Sequence, residues 1–308
     1  MLGVVAVALG GPEVLQVTEL PEPEAGPGQV VVRVRAVCVH PADVAATTGE
    51  IPRGPDLPPF SPGWDIAGEV ASVGPGTTDF AVGDRVAGMI PWYTTRGVPG
   101  GYAELVPAET DWLVPLPEGL DFVPAATVPL NAQTAHQGLS LVSLAMLPAG
   151  SSILVTGASG GVGGFATQLA VQGGYRVLAQ ASDGDEQWVQ SLGAHEVVSR
   201  SADLASVGPV AAVFDAIPLG EAAAAAVEDR GVVVATRPTA PIVPARGVRQ
   251  ELQLIRLDRE LLADLVGQVA AGSLRTRVAD TMPLTEAADA HRRVLAGGLN
   301  GKLVLTVG

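Results

Sequence analysis

Apolar and polar positions alternate over much of the chain up to about Asp121 and then gather into longer apolar runs. Gln29 to Val37 alternates around Arg33 and Arg35, the period of a strand with one wet face. Ile66 to Val73 is a second strand segment, closed by Gly74-Pro75-Gly76. Gly83 to Gly88 reads as a turn entering a strand, and Gly101 to Pro107 as a further short strand. Pro and Gly punctuate all of these, which predicts a compact, mostly β domain. From Asp121 the pattern changes. Short apolar runs at Ile153–Thr156, Arg176–Gln180, Glu196–Val198, Val210–Phe214, Val232–Ala235 and Leu252–Leu257 alternate with helical segments. Strands separated by helices predict a parallel sheet covered on both faces, here a doubly wound one. Ala222–Ala226, bracketed by Glu221 and Glu228, predicts a helix. Leu261–Ala271 predicts another, and Thr281–Leu295 holds a further one, capped by Thr285-Glu286 and ended by Gly297-Gly298; Lys302–Val307 predicts a closing strand.

One stretch carries chemistry directly. The apolar run Ser152–Val155 leads into Thr156-Gly157-Ala158-Ser159-Gly160-Gly161-Val162-Gly163-Gly164, and Phe165–Gln172 follows as a helix. Strand, glycine-rich turn and helix open a dinucleotide-binding βαβ unit. Small residues let the backbone approach a pyrophosphate, and the helix N-terminus offers N–H groups and a positive dipole end. In the G-x-G-x-x-G register the first position is Ala158, followed by Gly160 and Gly163, so the motif alone is incomplete. It makes Ala158, Ser159, Gly160, Gly161, Val162 and Gly163 candidates for cofactor binding.

Composition narrows the classes. The 308 residues suffice for one large domain or two ordinary ones, and 47% hydrophobic residues supply a sizeable core. A net charge of −14 argues against non-specific binding to nucleic acid or anionic lipid, while leaving room for a local basic pocket for a phosphate. The single cysteine, Cys38, allows no disulfide framework and no cysteine-based zinc site within one chain. The apolar start Met1–Val7 is short and lacks a basic flank, and no run reaches the length of a membrane span. The expectation is a cytoplasmic protein with a small-molecule partner.

Several segments appear together in a fixed order: Gly28–Val34, Pro62-Gly63-Trp64-Asp65-Ile66-Ala67-Gly68-Glu69-Val70, Val82–Val86, Gly101-Tyr102-Ala103-Glu104, the glycine loop, Ser191–Ala194 and Gly301–Leu305. This set resembles the medium-chain dehydrogenase/reductase superfamily almost end to end, and within it the zinc-free quinone oxidoreductase (zeta-crystallin-like) branch. The resemblance implies an α/β protein: a GroES-like β-rich catalytic domain over 1–121 and 263–308, and a Rossmann domain with a doubly wound parallel sheet over 122–262. It places the active site in the cleft between them. It also implies a homodimer joined at the edges of two Rossmann sheets, for which Val232–Ala235 followed by 238–244 is a compatible edge. The zinc-dependent branch has a cysteine near position 40 and Gly-His-Glu at 63–65. Here those positions hold His40 and Gly63-Trp64-Asp65, and the third ligand position falls near Pro129-Leu130. A catalytic zinc takes three protein ligands, so no zinc is expected.

The same resemblance distributes roles along the cofactor. NAD recognition places a carboxylate at the end of the second Rossmann strand, whereas here Ala181 and Ser182 stand there. Ser182 can donate to a 2′-phosphate, and Arg200 after the third strand can fork onto it; Arg200 as a plain surface residue stays open. Asp183, Asp185 and Glu186 would repel a phosphate if they pointed inward, and otherwise charge the start of the next helix. NADPH is expected over NADH. The nicotinamide end is expected against His40 and Asp43, Asn131 and Thr134, Ala235 and Thr236, and Leu254-Ile255-Arg256, with Ala216 and Ile217 across the cofactor.

At the reacting end, His40 stands where the branch has asparagine. It reads either as a donor to a substrate carbonyl or as a satisfied histidine of the wall. Ala45 replaces the tyrosine some members carry, which leaves Tyr93, His40 or water as the acid. Trp92 and Tyr93 lie in a Pro/Gly-rich loop, as a pocket lip or as loop packing. Trp64 fills the space of the absent metal and shapes an apolar pocket for a flat substrate. His136 is expected in the core, His195 and His291 at the surface. The activity implied is hydride transfer to a quinone or an enone. Two alternatives stand beside it: a tailoring reductase for a polycyclic or polyketide substrate, and a cofactor-binding protein without turnover.

Overall fold

The computed structural model describes residues 1–51, 59–143, 147–242 and 246–308. In chain order the strands are β1 (Leu2–Ala6), β2 (Leu15–Glu19), β3 (Gln29–Val39), β4 (Asp65–Val73), β5 (Arg85–Met89), β6 (Leu105–Glu109), β7 (Leu113–Pro115), β8 (Ser152–Thr156), β9 (Arg176–Ala181), β10 (Glu196–Ser199), β11 (Val210–Asp215), β12 (Val227–Ala235), β13 (Arg249–Leu252), β14 (Val278–Pro283) and β15 (Lys302–Thr306). The helices are α1 (Pro41–Thr48), α2 (Trp92–Thr95), α3 (Phe122–Ala125), α4 (Pro129–Ser143), α5 (Gly161–Gln172), α6 (Glu186–Ser191), α7 (Glu221–Ala224), α8 (Arg259–Ala270) and α9 (Ala287–Ala296).

The chain forms two units. The first comprises 1–130, 257–273 and 277–308; the second comprises 131–256 with 274–276. The first unit holds a seven-stranded sheet in the order β14-β15-β3-β4-β5-β7, with β6 also on β3, beside the β1–β2 hairpin. Its ladders are antiparallel except β14–β15. Alternation in β3 works as expected at Arg33, which is exposed between buried Val32 and Val34.

The second unit holds a six-stranded, all-parallel sheet in the order β10-β9-β8-β11-β12-β13. The chain starts in the middle at β8, runs outward to β10, returns beside β8 at β11 and runs outward again. That reversal is the doubly wound topology, and ligands bind where it occurs, beyond the carboxyl ends of the strands. Leu154, Leu178, Val213 and Val233 pack into one core cluster; Ile153, Ala212, Val232 and Val234 pack into another. Neighbouring residues of one strand thus serve different clusters, which is why these strands read as continuous apolar runs.

Two elements differ from the sequence pattern. Leu252–Leu257 is a strand only at Leu252, the end of β13. Beyond it the Gln137 side chain takes both backbone groups of Arg256, accepting from its N–H at 3.1 Å and donating to its carbonyl at 2.7 Å, so the ladder stops. The helix held in 281–295 begins after Glu286, its N-cap, and ends at Gly297, as the Thr285-Glu286 and Gly297-Gly298 signals implied; Thr281 and Met282 pair with Val304 and Leu305 at the end of β14. The alanine run is helical only to Ala224, and Val227 already pairs with Val210. Val232–Ala235 is therefore the second half of an interior strand. The edge strands of the parallel sheet are β10 and β13, and of the segment 238–244 the residues 243–244 lie outside those described.

Candidate active site

The glycine loop is shaped by steric necessity. Gly157 adopts a left-handed φ of 62°. A Cβ on Gly163 would lie 2.2 Å from the Gly157 carbonyl oxygen, so the loop closes onto the first turn of α5 only with glycine there. Ala158 is fully buried, and its N–H donates to the Gln180 carbonyl at 2.9 Å, pinning the loop to β9. Gly160 occupies the N-cap of α5, and no side chain caps the helix. The first-turn amides have no intrahelical acceptor and are open to an anion. Ser159 Oγ accepts from the Ser182 N–H at 3.0 Å, joining the loop to the residue that follows β9.

Asp215, at the end of β11, braces the opposite side. Its Oδ1 accepts from Thr156 Oγ1 at 2.7 Å and its Oδ2 from the N–H groups of Leu219 (2.8 Å) and Gly220 (3.1 Å). Burial pushes this carboxyl up, and those three bonds pull it back. The turn so held sets Ile217 against Gly157. Thr236 Oγ1 donates to the Ala216 carbonyl at 3.4 Å, so Ala216, Ile217 and Thr236 come together beside the loop. Ala235 is buried at the end of β12, and Asn131 and Thr134 are buried on α4. Leu254, 68% exposed, Ile255 and Arg256 lie in the irregular segment after β13.

At the far end of β9, Ala181 is buried and Ser182 half-buried. Arg200 is exposed and lines a cavity of about 320 Å³ with Gln180, Leu204, Ile217 and Leu219. Asp183 and Glu186 are exposed, and Asp185 is buried at the N-cap of α6 without a capping bond from its side chain. Gln180 is a residue the pattern reading passed over; its signal is a polar side chain within the buried run Val177–Ala181.

In the first unit a buried polar network surrounds His40. Asp43 accepts from the backbone N–H of His40 at 2.7 Å and of Gly63 at 2.8 Å, holding the start of α1 against the β4 approach. Burial raises its carboxyl to about 7 against those two bonds. Asp65 accepts from the Leu130 N–H with both oxygens (3.0 and 3.1 Å), and its Oδ2 lies 2.9 Å from His40 Nε2. His40 Nδ1 lies 3.4 Å from Lys302 Nζ. An ammonium only donates, so Nδ1 accepts and Nε2–H donates to Asp65. Burial, reinforced by Lys302, holds the His40 pKa well below the ordinary histidine range, while burial raises that of Asp65. His40 is thus a neutral imidazole with both nitrogens engaged. Tyr102 OH meets His291 Nε2 at 3.2 Å. Two histidines depart from expectation. His291 is fully buried, because α9 turns Ala287, Ala290 and His291 inward onto Tyr102. His136 is exposed on α4, whereas its neighbour Ala135 is buried; His195 is exposed as expected.

The aromatic residues cluster. Trp64 stacks on Trp92 with ring centroids 5.9 Å apart and meets Tyr93 at the same distance. Trp92 is buried and donates to the Ser61 carbonyl at 3.1 Å. Tyr93, 44% exposed, forms the open edge, and its hydroxyl accepts from the Leu257 N–H at 3.3 Å.

Comparison with known proteins agrees with this architecture. Residues 26–118 match the family model for the alcohol dehydrogenase GroES-like domain, and residues 192–305 that for zinc-binding dehydrogenase. Human quinone oxidoreductase is 30% identical over 320 residues, covering 96% of this chain and 94% of the human one. The solved structure of quinone oxidoreductase from Coxiella burnetii superposes with a TM-score of 0.88 at 28% identity, covering 100% of this chain and 99% of that one. The chain belongs to the quinone oxidoreductase branch of the medium-chain dehydrogenase/reductase superfamily. It is an oxidoreductase of that type, with a GroES-like domain and a Rossmann-like parallel sheet. A mycobacterial protein solved as a complex with NADPH is a further structural relative, with a TM-score of 0.84 at 26% identity over the full length of both chains.

The zinc in the second family model's description can be tested on the residues present. Cys38, His40 and Asp65 bring one ligand atom each within 4.8 Å of one another. Yet His40 Nε2 and Asp65 Oδ2 are bonded to each other, and the Lys302 ammonium already stands at His40 Nδ1. A second cation there would have to break the pair and meet a like charge. This donor set, as arranged, does not fit a zinc ion.

Proposed function

We propose that this quinone oxidoreductase relative is an NADPH-dependent, metal-free reductase that delivers a hydride to a quinone or to the β-carbon of an α,β-unsaturated carbonyl compound. The observation that carries the reading is the end of β9. Ala181 and Ser182 stand where a carboxylate would select NADH, and Arg200, after β10, lines the adjoining cavity. The uncapped start of α5 and the close-packed Ala158–Gly163 backbone suit a pyrophosphate. The NADPH complex of the mycobacterial relative supports the same choice.

Reduced nicotinamide, when bound, supplies the hydride. The residues assigned to its ring and ribose are Asn131, Thr134, Ala216, Ile217, Ala235, Thr236 and the 254–256 segment. Trp64, Trp92 and Tyr93 are assigned to the substrate pocket, the two buried indoles backing the exposed Tyr93 edge, with Asp43 fixing the backbone there. One hydride and one proton convert a quinone to its hydroquinone; an enone takes the hydride at its β-carbon and the proton at its α-carbon. Tyr93 is assigned as proton donor, since its oxygen accepts from Leu257 and its own proton stays available at the exposed edge. His40 is assigned a positioning role, because both its nitrogens are held by Lys302 and Asp65. The protein is proposed to work without zinc and as a homodimer. The three-ring cluster also favours a second reading, a reductase for a polycyclic substrate. High rates on simple quinones count against that one.

The test is a comparison of kcat/KM for NADPH and NADH with a common acceptor. The expected result is a preference for NADPH; a preference for NADH removes the assignment of Ser182 and Arg200.

A further inference from the structure

The cavity beside β9 contains a group that phosphate recognition does not use. Gln180 is buried, 3% exposed, and lines this cavity with Arg200, Leu204, Ile217 and Leu219. Its Nε2 donates to the Arg200 carbonyl at 3.4 Å. A carbonyl only accepts, so this bond fixes which end of the amide faces it. Gln180 Oε1 is left with no partner among the described residues. Buried acceptors in native proteins are nearly always paired, and an orphan on a residue that lines a cavity points to a donor arriving with a ligand.

The cavity's surroundings identify that ligand. The Gln180 carbonyl accepts from the Ala158 N–H at 2.9 Å, so the strand carrying the orphan is pinned to the glycine loop. Ile217 lines the cavity and also packs on Gly157. The cavity therefore adjoins the loop assigned to the pyrophosphate and the Arg200 assigned to the 2′-phosphate. Leu204, Ile217 and Leu219 give it apolar walls suited to a flat ring. Its volume, about 320 Å³, is that of a small-molecule site.

Resting on the dinucleotide reading above, we propose that Gln180 reads the base: its Oε1 accepts the exocyclic 6-amino group of adenine and rejects purines bearing a 6-oxo group. A 6-oxo purine would set an oxygen against Oε1 and leave both acceptors unpaired. Gln180 is thereby a specificity-determining residue, distinct from those that hold the phosphates.

The experiment is a fluorescence binding titration of the whole protein with NADPH and with its hypoxanthine analogue, in which the 6-amino group is replaced by oxygen. The wild-type protein is expected to bind NADPH roughly tenfold to hundredfold more tightly, the size of one buried hydrogen bond gained or lost. In Gln180→Leu, which removes the acceptor and keeps the bulk, the ratio is expected to fall to within about twofold, mostly through weaker NADPH binding. Equal affinities in the wild-type protein overturn the proposal, even if the variant fails to fold. Full discrimination retained by Gln180→Leu also overturns it. Failure of both dinucleotides to bind overturns the cofactor reading itself, a separate result.

Discussion

Arg200 and His291 show how much a single side chain decides. In the proposed complex Arg200 supplies a charged partner for the 2′-phosphate from an exposed position, so solvent screening limits its worth. Arg200→Ala is expected to raise KM for NADPH roughly tenfold and to leave KM for NADH nearly unchanged; steady-state kinetics with both cofactors check this. His291 acts on stability. Burial lowers its pKa to about 4 from an ordinary 6.5. Between those values the unfolded chain binds a proton that the folded protein refuses, so this group's contribution is present above pH 6.5 and lost as the pH falls toward 4. Its size is up to roughly 3 kcal/mol. Asp43, raised to about 7, acts in the opposite direction, losing stability as pH rises. In His291→Gln, which keeps a polar partner for Tyr102, stability at pH 7 minus stability at pH 4.5, from denaturant melts, is expected to be lower than in the wild-type protein. An unchanged difference contradicts the assignment. Residues fixed by local chemistry, such as Gly163 and the small residues after β9, were legible in the sequence. His291 and His136 were not, because one helix turn decides which face a histidine takes and only the packed neighbour, here Tyr102, reveals it.

At the scale of elements, apolar runs located five of the six strands of the parallel sheet; the sixth, β13, lies at Arg249–Leu252, ahead of the run Leu252–Leu257. β13 ends at Leu252 and the Gln137 side chain takes up Arg256 beyond it, and β14 runs to Pro283 because β15 offers a ladder. Neither partner is near in sequence. The interior place of β12 moves the proposed dimer contact to β13, whose outer edge carries no strand among the described residues. An unpaired edge is a template for a second copy. Light scattering is expected to give twice the mass of one chain; a single-chain mass removes the dimer from the proposal.

At the scale of the molecule, the order of motifs identified the family more firmly than any one of them, and the two folded units follow it: an antiparallel-rich sheet in one, a doubly wound parallel sheet in the other. No helix among the described residues is long and apolar enough to cross a membrane. In this chain the His40–Asp65–Lys302 network sets an ammonium beside the residues that would have to ligate a metal. Lys302 lies 262 positions from His40, so no local pattern could pair them. The proposed reaction is reduction of a quinone or enone by NADPH without metal. Chelator-treated protein mixed with NADPH and a 1,4-benzoquinone or a simple enone is expected to consume the reduced nicotinamide absorbance at the same rate as untreated protein. No consumption with any such acceptor, or consumption that the chelator abolishes and zinc restores, contradicts the account.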